Sequence, residues 1–543
     1  MKRTKFMNTL LASAMGAALM GAAHASSSNE SPEKWYADGE AAIETAKHLQ
    51  ANKRKAKNVI LFVADGMGIT TTTAARILEG QLRGESGEEN QLSFEVMPYV
   101  ALSKTYNTNQ QTPDSAGTMT AMMTGIKSKA GVISVNQNVF RGDCASSKGT
   151  ELTTFLEQAE MAGLSTGVVS TARITHATPA ATYAHVPERN WEDDHDLPQE
   201  AVDNGCKDIA RQLIEFPYGD GLEVAMGGGR RHFWPRNRAD LEDAGKTGER
   251  DDQRNLTEEW VENNDKAAFV WNKAQFDAID VENTDHLLGL FDRSHMEYSE
   301  DRNNDVGGEP SLTDMTSKAI DVLQKNDKGY FLMVESGRVD HGHHAGNAYR
   351  ALTDTIEFSN AVRSAMEKTD SRDTLIIVTA DHSHVFTIAG YPTRGNPILG
   401  KVIGNDSRGE AKDNYSMAED GMPYTTVSYA NGRGYAALET GGDTHYDVPV
   451  QAGRVADLTS VDTEDEGFHQ EALVPLSSET HSAEDVAIYA GGPGAYLMHG
   501  VQEQNYIYHV MNKASKMQHR MKRDQQSHKK MRWANEDEDS TDD

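Results

Sequence analysis

Asp340 and His344 stand four residues apart in VDHGHH, a spacing that brings a carboxylate and an imidazole to one face of a helix. Such a pair suits a zinc site. Asp381-His382 follows the apolar run of DTLIIVTADHSH (373–384) and offers a second pair where the chain leaves a strand. Asp65, closing the apolar run of NVILFVADGMG (58–68), adds a third carboxylate. Taken singly, each reads more simply as a capping Asp or a surface His; three at predicted strand ends of one chain do not. Ser115 lies in TPDSAGTMTAMMTG, where Pro113 and Asp114 favour a turn and the small residues that follow read as a helix start. A helix N-terminus favours an anion, although the residues alone favour Asp114 or Ser115 as a plain cap over a nucleophile. Ser115 does not stand in a Gly-x-Ser-x-Gly elbow, so a hydrolase triad at that serine is not supported.

The elements that must position these groups are legible around them. The runs at 58–68, 329–344 and 373–384 are continuously apolar before their acids, as suits strands buried on both faces of a parallel sheet. ELTTFLEQAEMAG (151–163) reads as a crossover helix, and further strands are expected at 166–170, 222–226 and 485–490. The predicted fold is α/β, a central, mostly parallel sheet flanked by helices on both faces, with ligands beyond the carboxyl ends of the strands. Residues 26–57 form an N-terminal arm with a helix over 33–48, and 58–512 form the α/β domain. Within it, 236–310 is charged with little β pattern, and 386–476, rich in Gly and Tyr, reads as an insertion. Residues 513–532 carry eight Lys or Arg against one acid and 535–543 carry six acids, so 513–543 is expected to be a solvated, self-neutralising tail.

The chain has 543 residues, with 53 Lys+Arg against 83 Asp+Glu and a formal charge of −30. That balance argues against nucleic acid as a partner, because backbone affinity needs clustered cations. Lys2, Arg3 and Lys5, an apolar stretch over 9–23 and Ala23-His24-Ala25 read as a signal peptide over 1–25. The mature chain is then periplasmic or secreted, with no later run long enough to span a bilayer. Export places Cys144 and Cys206 where a single bridge between them is expected to persist.

DSAGTMTAMMTG with Ser115, VADGMG with Asp65, VESGRVDHGHH with Glu335, TADHSH with Asp381 and ETHSAEDVAIYA with His481, taken together from about residue 33 to about 512, resemble alkaline phosphatase. THATPAATYAHVPERNW (175–191) is similar to the form of the family found in animals and some marine or halophilic bacteria. The resemblance implies one zinc held by Asp340, His344 and His481, and a second held by Asp65, Asp381, His382 and the Ser115 oxygen. It implies a magnesium held by Asp65, Thr178 and Glu335 with His176 beside it, Thr178 standing where relatives often have Ser. Phosphate monoesters would be hydrolysed through a phosphoserine at Ser115, with Arg189 on two non-bridging oxygens and His341 near the phosphate.

Three divalent cations against Asp65, Glu335, Asp340 and Asp381 leave such a site cationic inside an acidic surface, whose field is screened within about 8 Å at physiological salt. Added salt is therefore expected to help, as suits a halophilic host. FRGDC and NGCKD match a disulfide of animal relatives, and 386–476 aligns with the family's crown, so a homodimer is expected. The chain closes in DEDSTDD, which supports no lipid anchor. A related phosphodiesterase would not be expected to keep the magnesium set and Arg189. A sulfatase would need a C/S-x-P-x-R motif that is absent, and Ser115 argues against a non-catalytic zinc or phosphate scavenger.

Overall fold

A computed structural model describes residues 30–434 and 457–524. The expected signal peptide, residues 435–456 of the insertion and the tail from 525 onward lie outside the described residues. Fifteen strands are present among the described residues: β1 Asn58–Ala64, β2 Tyr99–Lys104, β3 Ser165–Arg173, β4 Val224–Gly228, β5 Ala267–Val270, β6 His286–Leu290, β7 Tyr330–Ser336 and β8 Thr374–Thr379, then β9 Ser383–His384, β10 Phe386–Ile388, β11 Val427–Gly432, β12 Ala472–Pro475, β13 His481–Ser482, β14 Val486–Gly491 and β15 Val501–Glu503. Ten of them form one sheet in the order β15-β2-β14-β8-β1-β7-β3-β4-β6-β5. From β8 to β5 every neighbour is parallel; β14 runs antiparallel to both β8 and β2. The sheet is thus mostly parallel, as the apolar runs predict.

Alternation along β1 shows how the two layers are fed. Val59, Leu61 and Val63 join the core that also holds Met119, Phe155 and Tyr508. Ile60, Phe62 and Ala64 join the opposite core, with Leu78, Ile320 and Phe358. Successive side chains of a strand point to opposite faces, so a run apolar at every position needs helices on both. Those helices include Ser115–Thr124, Phe155–Met161 and Tyr506–Ser515 on one face, and Ile69–Leu82, Leu312–Leu323 and Ala348–Lys368 on the other.

Several expectations shift in detail. The crossover helix is shorter than 151–163, because a capping box between Thr154 and Glu157 starts it at Phe155 and the left-handed Gly163 follows its end. The charged stretch 236–310 supplies β5 and β6, both too short to give a pattern. The N-terminal helix spans Pro32–Lys47 and buries none of its residues. The basic C-terminal segment is not wholly solvated. After a left-handed turn at Lys516 the chain is helical again to Asp524, Met517 is fully buried, and Arg520 donates to the carbonyl of Ser515 and to those of Lys328, Ala56 and Lys57, just ahead of β7 and β1.

Within 386–476, β10, β11 and β12 make a separate three-stranded sheet, while β9 and β13 on either side pair His384 with His481. Cys144 and Cys206 are joined in a disulfide. No helix among the described residues is long and apolar enough to cross a membrane.

Candidate metal centre

Parallel register brings the acids to one edge. Val63 of β1 lies beside Glu335 of β7 and Thr379 of β8, so Asp65, Glu335 and Asp381 emerge together where the strands end. Beyond β7 the helix Arg338–His344 carries Asp340 and His344. Beyond β8 the chain delivers His382 and then His384, which the β9–β13 pairing sets against His481. Gly66 makes the approach possible: it has φ +76, and a Cβ there would sit 2.3 Å from His384 Nε2.

Around Asp340 the ring nitrogens converge. His344 Nδ1 donates to the Glu479 carbonyl (2.7 Å) and His481 Nδ1 to the Pro113 carbonyl (2.8 Å). With Nδ1 as the donor, the nitrogen left on each ring to bind a metal is Nε2, and these two nitrogens face one another at 3.0 Å. Both lie near Asp340 Oδ1, at 3.4 and 3.3 Å. Two imidazole nitrogens and a carboxylate oxygen converging this closely suit a shared cation, and the Nδ1–H to carbonyl bonds are the usual support of metal-ligating histidines.

His384 has a different part. Its Nε2 donates to Asp340 Oδ1 (2.8 Å) and its Nδ1 to Glu479 Oε2 (2.6 Å). Burial alone would lower its pKa, but Glu479 and Asp340 hold it up to about 10. It is a charged clamp that fixes the Asp340 carboxylate rather than an open ligand. Neither His384 nor Glu479 was singled out from sequence, although both lie inside the motifs TADHSH and ETHSAEDVAIYA.

A second group gathers Asp65, Asp381 and His382, all buried. His382 Nε2 lies 3.3 Å from Asp65 Oδ1 and 3.2 Å from Asp381 Oδ2. Gly66 N and His382 N donate to Asp381 Oδ1, and the Thr118 hydroxyl donates to Oδ2 at 3.1 Å. Asp65 is held well above the usual carboxylate range, first by burial and then by the charges of Asp381, Asp340 and Glu335. Four carboxylates buried together need compensating positive charge.

The third group is Asp65, His176 and Glu335. Glu335 is fully buried and pushed up to about 8, chiefly by burial. Its Oε2 accepts from the Ser170 hydroxyl, while Glu335 Oε1, Thr178 Oγ1 and His176 Nδ1 are buried with no hydrogen-bond partner among the described residues. Orphaned oxygens beside a carboxylate suit a hard cation.

Ser115 opens the helix Ser115–Thr124, and its neighbour resolves the capping ambiguity. Asp114 is the N-cap, its side chain accepting from Gly117 N at 3.1 Å. The Ser115 hydroxyl is thereby released toward Asp65 Oδ2 (3.3 Å) and His382 Nε2 (3.2 Å). Arg189 forks onto the same region, Nη1 donating to Asp114 Oδ2 (3.2 Å) and Nη2 to His176 Nε2 (3.1 Å). His341 is buried beside them, its ring 5.8 Å from that of His176 and 4.1 Å from that of His295. Burial and Arg338 hold His341 well below its ordinary pKa. The structure therefore collects Asp65, Ser115, His176, Thr178, Arg189, Glu335, Asp340, His341, His344, Asp381, His382 and His481 at one sheet edge.

Fold and site define an α/β enzyme whose carboxylates, imidazoles and one serine converge in a geometry made for divalent cations. A family model described as alkaline phosphatase matches residues 56–517, and the chain belongs to that family. The alkaline phosphatase of Gadus morhua is 44% identical over 487 residues, 88% of this chain and 96% of that protein. The tissue-nonspecific isozymes of alkaline phosphatase from Gallus gallus and Homo sapiens are each 43% identical, covering 93% and 88% of this chain and 92% and 88% of theirs. Among solved structures, the Thermus thermophilus alkaline phosphatase shares the fold with a TM-score of 0.59 at 23% identity, over 87% of this chain and 94% of that one. That of the Antarctic bacterium TAB5 does so with a TM-score of 0.55 at 22% identity, over 86% and 99%.

Proposed function

We propose that this enzyme hydrolyses phosphate monoesters through a phosphoserine at Ser115, with two zinc ions and one magnesium ion as resident metals. Asp340, His344 and His481 would hold one zinc; Asp65, Asp381, His382 and the Ser115 oxygen the other; Asp65, Thr178 and Glu335 the magnesium. Bound there, the cations would lower the pKa of the serine hydroxyl and offset charge on the phosphoryl oxygens. Ser115 Oγ forms a bond to phosphorus as the ester oxygen leaves with its electron pair. Water then bonds to phosphorus as the P–Oγ bond breaks, releasing inorganic phosphate, and a proton from that water restores the serine hydroxyl. Arg189, its planar fork aligned by Asp114 beside Ser115, is placed to take two non-bridging oxygens. His176 and His341 border that space.

The observation that carries this reading is the Ser115 hydroxyl released from capping and set 3.2–3.3 Å from two metal-type donors. The test is the rate of one metal-replete preparation on a phosphate monoester and its diester analogue. A monoester keeps more non-bridging oxygens for Arg189, so its kcat/KM should exceed the diester's by at least about a hundredfold. Arg189→Ala should reduce the monoester value by about 10²–10³ and close most of that gap. Equal rates on both esters would overturn the substrate assignment.

A homodimer and a periplasmic or secreted location belong to the same proposal. The helix Pro32–Lys47 supports the first, since it exposes Trp35, Tyr36 and Ile43 and buries nothing against its own chain. The intact disulfide supports an oxidising compartment.

A further inference from the structure

At the opposite, amino-terminal edge of the sheet lies a second concentration of acid that the phosphatase reaction does not use. Glu160, in the helix leading to β3, and Glu223, the residue before β4, are tied to the same residue. Thr166 donates its hydroxyl to Glu160 Oε1 and its backbone N–H to Glu223 Oε2, each at 2.6 Å. Glu160 is only 2% exposed, and its remaining oxygen, Oε2, is buried with no hydrogen-bond partner among the described residues. The loop opposite is shaped to that oxygen: Gly219 has φ +59, and a Cβ there would lie 2.0 Å from Glu160 Oε2. Both glutamates and Asp220 line a cavity of about 990 Å³.

Among the described residues no ion pair joins a cation to Glu160 or Glu223. The two lysines lining the cavity are committed elsewhere. Lys325 donates to the carbonyls of Val281 and Thr284 and to Asp285, and Lys328 pairs with Asp524. Burial and the nearby acids push Glu223 up to about 8 and hold Glu160 well above its ordinary value, as like charges sharing a site must.

We propose that Glu160, Glu223 and Asp220 form a binding site for a hard divalent cation such as Ca²⁺, remote from the catalytic edge. Carboxylate oxygens with one orphan among them and room for several waters match the oxygen-rich, adaptable coordination that Ca²⁺ takes. An ion there would supply the positive charge that the fold leaves out and tie the start of β3 to the start of β4.

The test uses the holoenzyme with zinc and magnesium already saturating. Bound Ca²⁺ per chain is measured by equilibrium dialysis and elemental analysis, in the parent and in E160Q/E223Q. The variant should bind one Ca²⁺ fewer per chain with monoester turnover unchanged. E160K, which places an ammonium where the ion would sit, guards against a misfolded double variant. It should lose the same Ca²⁺ and also the calcium-dependent rise in melting temperature expected of the parent. Equal Ca²⁺ in the parent and both variants would overturn the site. So would a parent that binds no Ca²⁺ there and titrates one shared proton near neutral pH instead.

Discussion

Gly66→Ala isolates the contact on which the catalytic edge depends. At φ +76 an L-residue meets about 1–2 kcal/mol of left-handed strain. The new methyl would also lie 2.3 Å from Nε2 and 2.5 Å from Cδ2 of His384, a ring with no exposed surface and both nitrogens bonded to carboxylates. If the ring yields, two charge-assisted hydrogen bonds are lost, about 1.5–3 kcal/mol each. Gly84→Ala is the control, since Gly84 has φ +81 but nothing within 4 Å of its Cβ position. By urea denaturation, G66A should lose at least about 3 kcal/mol and G84A only the left-handed strain. In chelator competition, G66A should hold zinc about 10–100-fold more weakly, the usual cost of disturbing a group that supports a ligand, and G84A should match the parent. If the two variants lose equal stability and keep equal zinc, the clamp formed by Asp340, His384 and Glu479 is not what holds the site.

Thr118→Val removes the hydroxyl that donates to Asp381 Oδ2; zinc retention against a chelator should fall about tenfold or more while the melting temperature barely moves. Replacing Cys144 and Cys206 by Ser opens a 62-residue connection and should lower stability by about 4 kcal/mol in the chain-entropy account, read as a shifted urea midpoint that reductant no longer changes. With a formal charge of −30, the enzyme should gain activity and melting temperature from dilute buffer to molar NaCl as surface repulsion is screened; a steady fall in both would refute the halophilic expectation.

Much of the catalytic edge is legible in the sequence because its strands are buried on both faces. NVILFVA, YFLMVES and TLIIVT each carry an unbroken apolar run of four or more residues before their functional ends, so both the strands and the place where their acids emerge can be read directly. β5, at the sheet edge, and β6 beside it have four and five residues in a charged stretch, too short for period or composition to register. His384 and Glu479 escaped because they act through another side chain. Their pairing spans 95 residues, and only the β9–β13 register brings it about. Arg520 escaped for a related reason: its partners are backbone carbonyls as far as 464 residues away, which leave no trace in residue type. The same blindness to distance hid the Glu160–Glu223 pair, since neither residue stands in any motif.

The most direct measurement of the central claim is an acid-quenched reaction of the metal-replete enzyme with a phosphate monoester, followed by peptide mapping by mass spectrometry. A phosphoryl group on the peptide containing Ser115, on that serine and absent from Ser115→Ala, is the predicted result, together with loss of nearly all turnover in the variant. A phosphoryl group on another residue, or a Ser115→Ala enzyme that still turns over at the parent rate, would contradict it.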